Sequence, residues 1–261
     1  MGSAYLKLDT PLPAGIDYPL LGEFVPPDLP YAGNLSGLYV MGRSEAMSIR
    51  NFANPGLPLI AVGTPAYEED GVLTSRTNYF NTRILPSSAM TFVFVFAPSP
   101  TTYASQSVLL SNYTVGSESG SGIARGDTIQ VGTTGGVKRA AMYRDRAAEG
   151  PLITNMALTP ELGAQSLGVS INATTEARCA VGQLGSVATT ASGSAGARGT
   201  WARPYLLGGG QQSLATGISS QPIKTRMVAI YSGIAMSEAQ LQEVASSIRQ
   251  GFGPSVGLDG L

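Results

Sequence analysis

The chain has 261 residues and a mass of 26.9 kDa, and its 16 basic against 17 acidic side chains leave a net charge of −1, which gives no field for a polyanion such as nucleic acid. Histidine is absent, which removes Ser-His-Asp and Cys-His nucleophile systems and most zinc sites. The single cysteine, Cys179, excludes an internal disulfide and any multi-cysteine metal site. Charged residues make up 13% of the chain, about half the usual share, while 33 Gly and 17 Pro punctuate it too often for long helices.

The first 36 residues stand apart. Pro11, Pro13, Pro19, Pro26, Pro27 and Pro30 alternate with Leu12, Ile16, Tyr18, Leu20, Leu21, Phe24 and Val25. Proline at this density prevents helix and interrupts sheet ladders, yet the segment is too apolar for a solvated linker. Residues 1–36 therefore read as an extended docking arm that lies on a neighbouring subunit or folds back on its own domain. The intermolecular placement is the one expected, with the apolar residues just named as the assembly determinant. Its N-terminal stretch lacks a basic region followed by an apolar one, so no export signal is expected. No window approaches 18 consecutive apolar residues, so no membrane insertion is expected either.

From about residue 38 the pattern is that of β-structure, and residues 37–253 read as one sandwich. Thr91–Ala97 alternates Phe92, Phe94 and Phe96 with Val93 and Val95, so both faces are apolar and the strand belongs in the interior of a sheet. Further strands are expected at Ser107–Ser111, Thr128–Gly132, Val137–Tyr143, Leu167–Ala173, Ala177–Gly182, Pro204–Gly208 and Thr225–Tyr231. Turns are expected at Gly116–Gly122 and Thr189–Gly199. Cys179 then reads as a small apolar residue within a strand. One helix is signalled, Ser237–Gln250, with Ser237 and Gln240 as a capping box, Leu241, Val244, Ala245 and Ile248 as its apolar stripe, and Gly251 as its stop. Residues 254–261 form a tail.

Three strings, in order, carry a resemblance. Val62–Tyr67 and Tyr79–Thr82 ahead of the Phe92–Phe96 strand, then Pro204–Gly209, then Arg226–Leu241 with its strand-ending Tyr231 and capped helix, resemble the opening, the late strand and the close of concanavalin A-like (laminin-G-like) jelly-roll domains. In the last string Met236 and Gln240 stand where Leu and Glu are usual. The resemblance implies an all-β, antiparallel two-sheet jelly-roll sandwich with one short C-terminal helix. Stand-alone domains of this type with a Pro-rich arm are similar to tailed-phage virion proteins. That implies a non-enzymatic structural protein of the tail, baseplate or fibre attachment region, assembled in the host cytoplasm and present in several copies. Its expected partners are other virion proteins and a bacterial surface glycan; a capsid decoration protein and a free lectin are the alternatives.

Glycan-hydrolysing relatives use a Glu-x-Asp-x-x-Glu strand, which this chain lacks, so no catalytic residue and no cofactor is expected. Glu68-Glu69-Asp70 before Gly71 reads as a solvated turn. Asp145 and Glu149 among Arg139, Arg144 and Arg146 read as surface ion pairing rather than as a catalytic pair. The seven Asp residues are too scattered for a calcium loop, which leaves no metal site expected. Arg125-Gly126-Asp127 reads as a turn, and Asn34, Asn112 and Asn172 head glycosylation sequons that matter only on a secretory route. The expected ligand-binding pair is Trp201 with Arg203, since an indole beside a guanidinium can stack on a sugar ring. The competing reading has Trp201 close the edge of the core.

Overall fold

A computed structural model describes residues 29–97, 106–114, 119–120, 122–134, 137–145, 152–157, 165–171, 177–183, 186–191, 198–209 and 221–252. The arm residues Leu12, Ile16, Tyr18, Leu20, Leu21, Phe24 and Val25, and the tail 254–261, lie outside the described residues.

Among the described residues, two antiparallel sheets make a sandwich. One has eight strands, in the order β13 (Ser186–Ala191), β12 (Ala177–Gln183), β11 (Gln165–Ile171), β6 (Met90–Ala97), β15 (Ile223–Ser232), β4 (Gly71–Thr74) and β3 (Ala66–Glu68), with β1 (Leu35–Val40) also paired to β15. The other has seven, in the order β10 (Leu152–Ala157), β9 (Val137–Arg144), β8 (Thr128–Thr134), β7 (Ser107–Ser111), β14 (Leu206–Leu207), β5 (Tyr79–Asn81) and β2 (Ile60–Val62). A one-turn helix, α1 (Glu45–Ser48), follows β1, and α2 (Glu238–Ser247) follows β15. This is the all-β antiparallel sandwich with a short C-terminal helix that the sequence points to.

The alternation in β6 decides the layering. Phe92, Phe94 and Phe96 enter the core between the sheets with Phe80, Leu109, Ile129, Val169 and Tyr205, while Val93 and Val95 face a second apolar cluster on the outer side of the same sheet. That outer face is covered by Leu241, Val244 and Ile248 of the C-terminal helical segment and by Leu29, Leu38, Val40 and Phe52. β6 is thus interior, flanked by β11 and β15.

Four features depart from the sequence reading. Leu29 is buried in the second cluster and β1 starts at Leu35, so the sandwich reaches into the segment assigned to the arm, and the boundary at 36/37 moves toward the N-terminus. The expected Pro204–Gly208 strand is regular only at Leu206–Leu207: Pro204 has no N–H to give, and the Tyr205 and Gly208 N–H groups bond the Ile84 and Leu109 carbonyls outside the regular ladder. Ser186–Ala191 is a strand where the Thr189–Gly199 turn was expected to begin. Gly251 does not stop the helix. Ile248 keeps helical backbone angles (φ −64°, ψ −48°) and stays buried, and the chain winds on as a π turn over Ile248–Phe252.

The capping box forms as expected: Ser237 Oγ accepts from Gln240 N at 3.4 Å, and Gln240 Oε1 accepts from Ser237 N at 2.8 Å.

Candidate functional site

Where β7 ends and β8 begins, five segments converge on a buried polar network. Asn112, the first residue past β7, accepts from Asp127 N through Oδ1 at 2.6 Å and donates through Nδ2 to the Arg203 carbonyl at 3.1 Å. This ties the 201–203 segment to the strand ends. Gly126 makes the bend between Arg125 and Asp127 at φ 101°, and a Cβ there would stand 2.5 Å from the Asn112 carbonyl oxygen, so only glycine fits.

The two charged neighbours of Gly126 then point to different partners. Asp127 is buried and accepts from Arg198 Nη2 at 2.7 Å and from the Tyr205 hydroxyl at 2.6 Å. Arg198 also donates to the Ser87 carbonyl at 3.0 Å, so its charge is satisfied from several sides. Arg125 forms a two-pronged pair with Asp145, Nε to Oδ1 at 2.9 Å and Nη2 to Oδ2 at 3.1 Å. Gly199 lies against that pair. A Cβ on it would sit 2.3 Å from Asp145 Oδ2, so the backbone passes there only because the residue has no side chain.

Burial pushes the Tyr205 phenol well above its ordinary pKa, and the neighbouring Asp127 carboxylate adds to the effect. Burial opposes the charge on Arg198, but Asp127 and Tyr205 outweigh it and hold the guanidinium above its ordinary value. The hydrogen bond from Asp145 does the same for Arg125, against the burial that opposes it.

Trp201 stands at the surface of this network. It is half-buried, and the Arg125 guanidinium lies 5.6 Å from its ring centroid. Arg203, the partner expected for it, points elsewhere. Its Nη1 donates to the Tyr113 carbonyl and to Thr114 Oγ1, each at 2.7 Å, so it pins the 113–114 segment. The guanidinium beside the indole is therefore that of Arg125. No short-range signal marks this, since Arg125 and Trp201 meet only through the fold.

Other expectations resolve similarly. Asp145 is 1% exposed and paired with Arg125, which corrects its reading as a surface ion pair; Glu149 and Arg146 lie outside the described residues. Asn112 is 1% exposed, its amide occupied by the backbone. Glu68-Glu69-Asp70 does run through the turn between β3 and β4, but it is anchored. Lys224 Nζ bonds Glu68 at 2.6 Å and Asp70 at 2.9 Å, and Arg226 also pairs with Asp70. No group of three or more Cys, Asp or Glu side chains suited to a metal ion occurs among the described residues, and none of their helices is long and apolar enough to cross a membrane.

No protein-family model matches the chain, and no curated protein matches it in sequence. Solved structures do match in fold. The binding domain of botulinum neurotoxin DC, in a complex with SialylT, superposes with a TM-score of 0.58 at 4% identity over 84% of this chain and 52% of that one. A botulinum neurotoxin type C structure, whose cell entry depends on interaction with two ganglioside molecules, gives 0.54 at 5% identity over 82% and 51%. A mutant Trypanosoma rangeli sialidase with trans-sialidase activity gives 0.51 at 11% identity over 83% and 34%. The chain thus spans about half the length of the toxin domains and a third of the sialidase. At these identities the likeness is one of fold.

Proposed function

We propose that the chain is a non-enzymatic attachment module of a tailed-phage virion, carried at the tail, baseplate or fibre region, whose sandwich recognises a glycan on the host surface. The observation that carries the reading is the Trp201 rim. A single half-buried indole, with a guanidinium beside its ring, is mounted on a hydrogen-bonded scaffold, and an immobilised aromatic face is what a sugar ring stacks on at small entropic cost. The fold shared with toxin binding domains supports a sugar-binding role, and the resemblance to phage jelly-roll domains supports the virion setting. The polar network speaks for binding rather than hydrolysis. Asp127 and Asp145 are each committed as acceptors to an arginine, and burial keeps the Tyr205 phenol protonated, so none is poised as nucleophile or general base. In this reading the arm joins several copies to other virion proteins.

Binding of the full chain to host envelope fragments tests it, together with immunogold labelling of particles. Retention on the envelope, its loss in Trp201→Ala with the melting temperature preserved, and label at the tail are the expected results. Wild-type protein that ignores the envelope, a Trp201→Ala variant that binds as well as wild type, or particles without label would overturn it.

A further inference from the structure

The two sheets end differently at their two sides. At one side stand β3 and β2, three residues each, and β3 closes on Glu68, which Lys224 holds at 2.6 Å. Short strands and charge are devices that keep another strand from adding to a sheet edge. At the other side stand β13 and β10, six residues each, which lie next to each other across the sandwich. Ser186–Ala191 and Leu152–Ala157 contain no charged residue and no proline, and their registers with β12 and β9 run without a bulge. These edges lack the usual protections, and among the described residues no second strand pairs with either.

The backbone pattern of β13 defines what fits it. Only two residues separate Gln183 from Ser186, which face each other in the β12–β13 register, so they form a hydrogen-bonded pair. Antiparallel pairs alternate from there. Ser186, Ala188 and Thr190 turn their N–H and C=O groups toward β12, while Val187, Thr189 and Ala191 turn theirs toward the open edge. These outward residues are spaced evenly about Thr189. An antiparallel strand with the same spacing completes them, and β13 of a second copy is such a strand. A half-turn about Thr189 sets Val187 against the partner's Ala191 and Thr189 against the partner's Thr189, each facing pair exchanging both of its N–H···O bonds. No like charges meet, since the strand carries none.

We infer that β13 is the contact of a twofold homodimer, in which the eight-stranded sheet runs on into that of a second copy while the uncharged β10 beside it meets the same neighbour. A twofold assembly needs only one self-complementary surface, and this edge is one. The inference goes beyond the glycan-binding reading and does not depend on it. Such a dimer carries two Trp201 rims on one particle, the arrangement from which avidity for a repetitive surface arises.

Light scattering of the full chain, together with cysteine cross-linking, tests it. The wild-type protein should have twice the 26.9 kDa mass of one chain. Thr189→Lys, which sets two ammonium groups opposite each other on the axis, should halve that mass, and Thr189→Glu should do the same. Mixing the two variant chains should restore the dimer, because opposite charges then meet on the axis. In a Cys179→Ser background, Thr189→Cys should form a disulfide between chains on mild oxidation, since the facing Cα atoms would lie about 5.5 Å apart. Ala66→Cys, on the edge strand β3, should not. The cross-link decides the matter even where a charged variant does not fold. A wild-type mass of one chain or of any multiple but two, a Thr189→Lys chain that keeps the wild-type mass, a mixture of the folded variants that stays monomeric, or chains linked through position 66 as readily as through 189 would overturn it. Envelope binding is read separately: a monomer that binds the envelope removes the dimer and leaves the attachment role standing.

Discussion

Arg198 Nη2 lies 2.7 Å from Asp127 Oδ2, with the two side chains 1% and 2% exposed, although the residues are 71 positions apart. A charge pair so deeply buried is tolerated only when further hydrogen bonds serve its remaining protons and lone pairs, and here the Ser87 carbonyl, the Tyr205 hydroxyl and the Asp145 N–H do so. The pair fixes the 198–205 segment to the strand ends together with the Asn112 and Arg203 bonds, and the Trp201 rim stands on all three.

Removing one partner leaves the other charge buried and alone. Asp127→Ala is expected to destabilise by about 3–5 kcal/mol, measured by urea denaturation. Exchanging Asp127 and Arg198 together for apolar residues should cost less than the Asp127→Ala change alone. A small effect of Asp127→Ala would show that water or a neighbour replaces the pairing.

Phe94, fully buried on β6 and stacked on Phe92 with ring centroids 6.5 Å apart, occupies the centre of the inter-sheet core. Phe94→Ala should cost about 3–5 kcal/mol. Ser237→Ala, which removes only the helix cap, should cost about 0.5–2 kcal/mol. Comparable losses in the two denaturation curves would mean that β6 is not the layer on which both clusters depend.

What the sequence revealed depended on the length over which a pattern could repeat. β6 spans eight residues, of which Phe92–Phe96 alternate Phe with Val, and α2 carries its own cap, so both were legible locally. β2, β3 and β5 have three residues each, too few for a period to show, and β10 and β13 carry Thr, Ser, Asn and Ala that also suit turns. The polar network was not legible at all. Asp127 lies in a glycine bend and Asp145 among arginines, and each local context suggests solvent. Only the closing of the sandwich brings Arg198 and Arg125 against them and turns surface-like residues into buried ones.

The clamp on the β3–β4 turn should respond to pH at both extremes. Burial tends to raise the Asp70 carboxyl, but hydrogen bonds and charge from Lys224 and Arg226 outweigh it and leave Asp70 below its ordinary value. The Asp70 contribution is then present at neutral pH and is lost in acid, as pH falls below the usual carboxylate range through the folded value. Lys224 is raised, chiefly by its hydrogen bond to Glu68, so its contribution holds below the ordinary lysine range and is lost as pH rises through the folded value. Protection of the β3–β4 amides, taken relative to their intrinsic exchange rate at each pH, should be greatest between these limits, and Lys224→Met should remove the alkaline arm and shrink the acid arm, which Arg226 still supports. A profile that keeps its alkaline arm in that variant would assign the pH response to other groups.

Trp201 is the only tryptophan, so its fluorescence reports on the rim alone. Its ring faces the Arg125 guanidinium, which is itself held by both oxygens of Asp145. Gly199 lies against that pair, and a methyl group there would meet Asp145 Oδ2 at 2.3 Å and Arg125 Nη2 at 2.5 Å. Either the carboxylate or the backbone must then move, and both lead to Trp201, two residues on. Gly199→Ala is therefore expected to change the emission of Trp201 and to weaken envelope binding together, at a stability cost of roughly 1–3 kcal/mol. Arg125→Gln, which leaves Gly199 in place but removes the cation, should shift the emission in the same sense. The two variants differ in cause and share one consequence at the indole. If Gly199→Ala lost envelope binding while the Trp201 emission stayed as in the wild type, the ligand would be contacting another part of the sandwich.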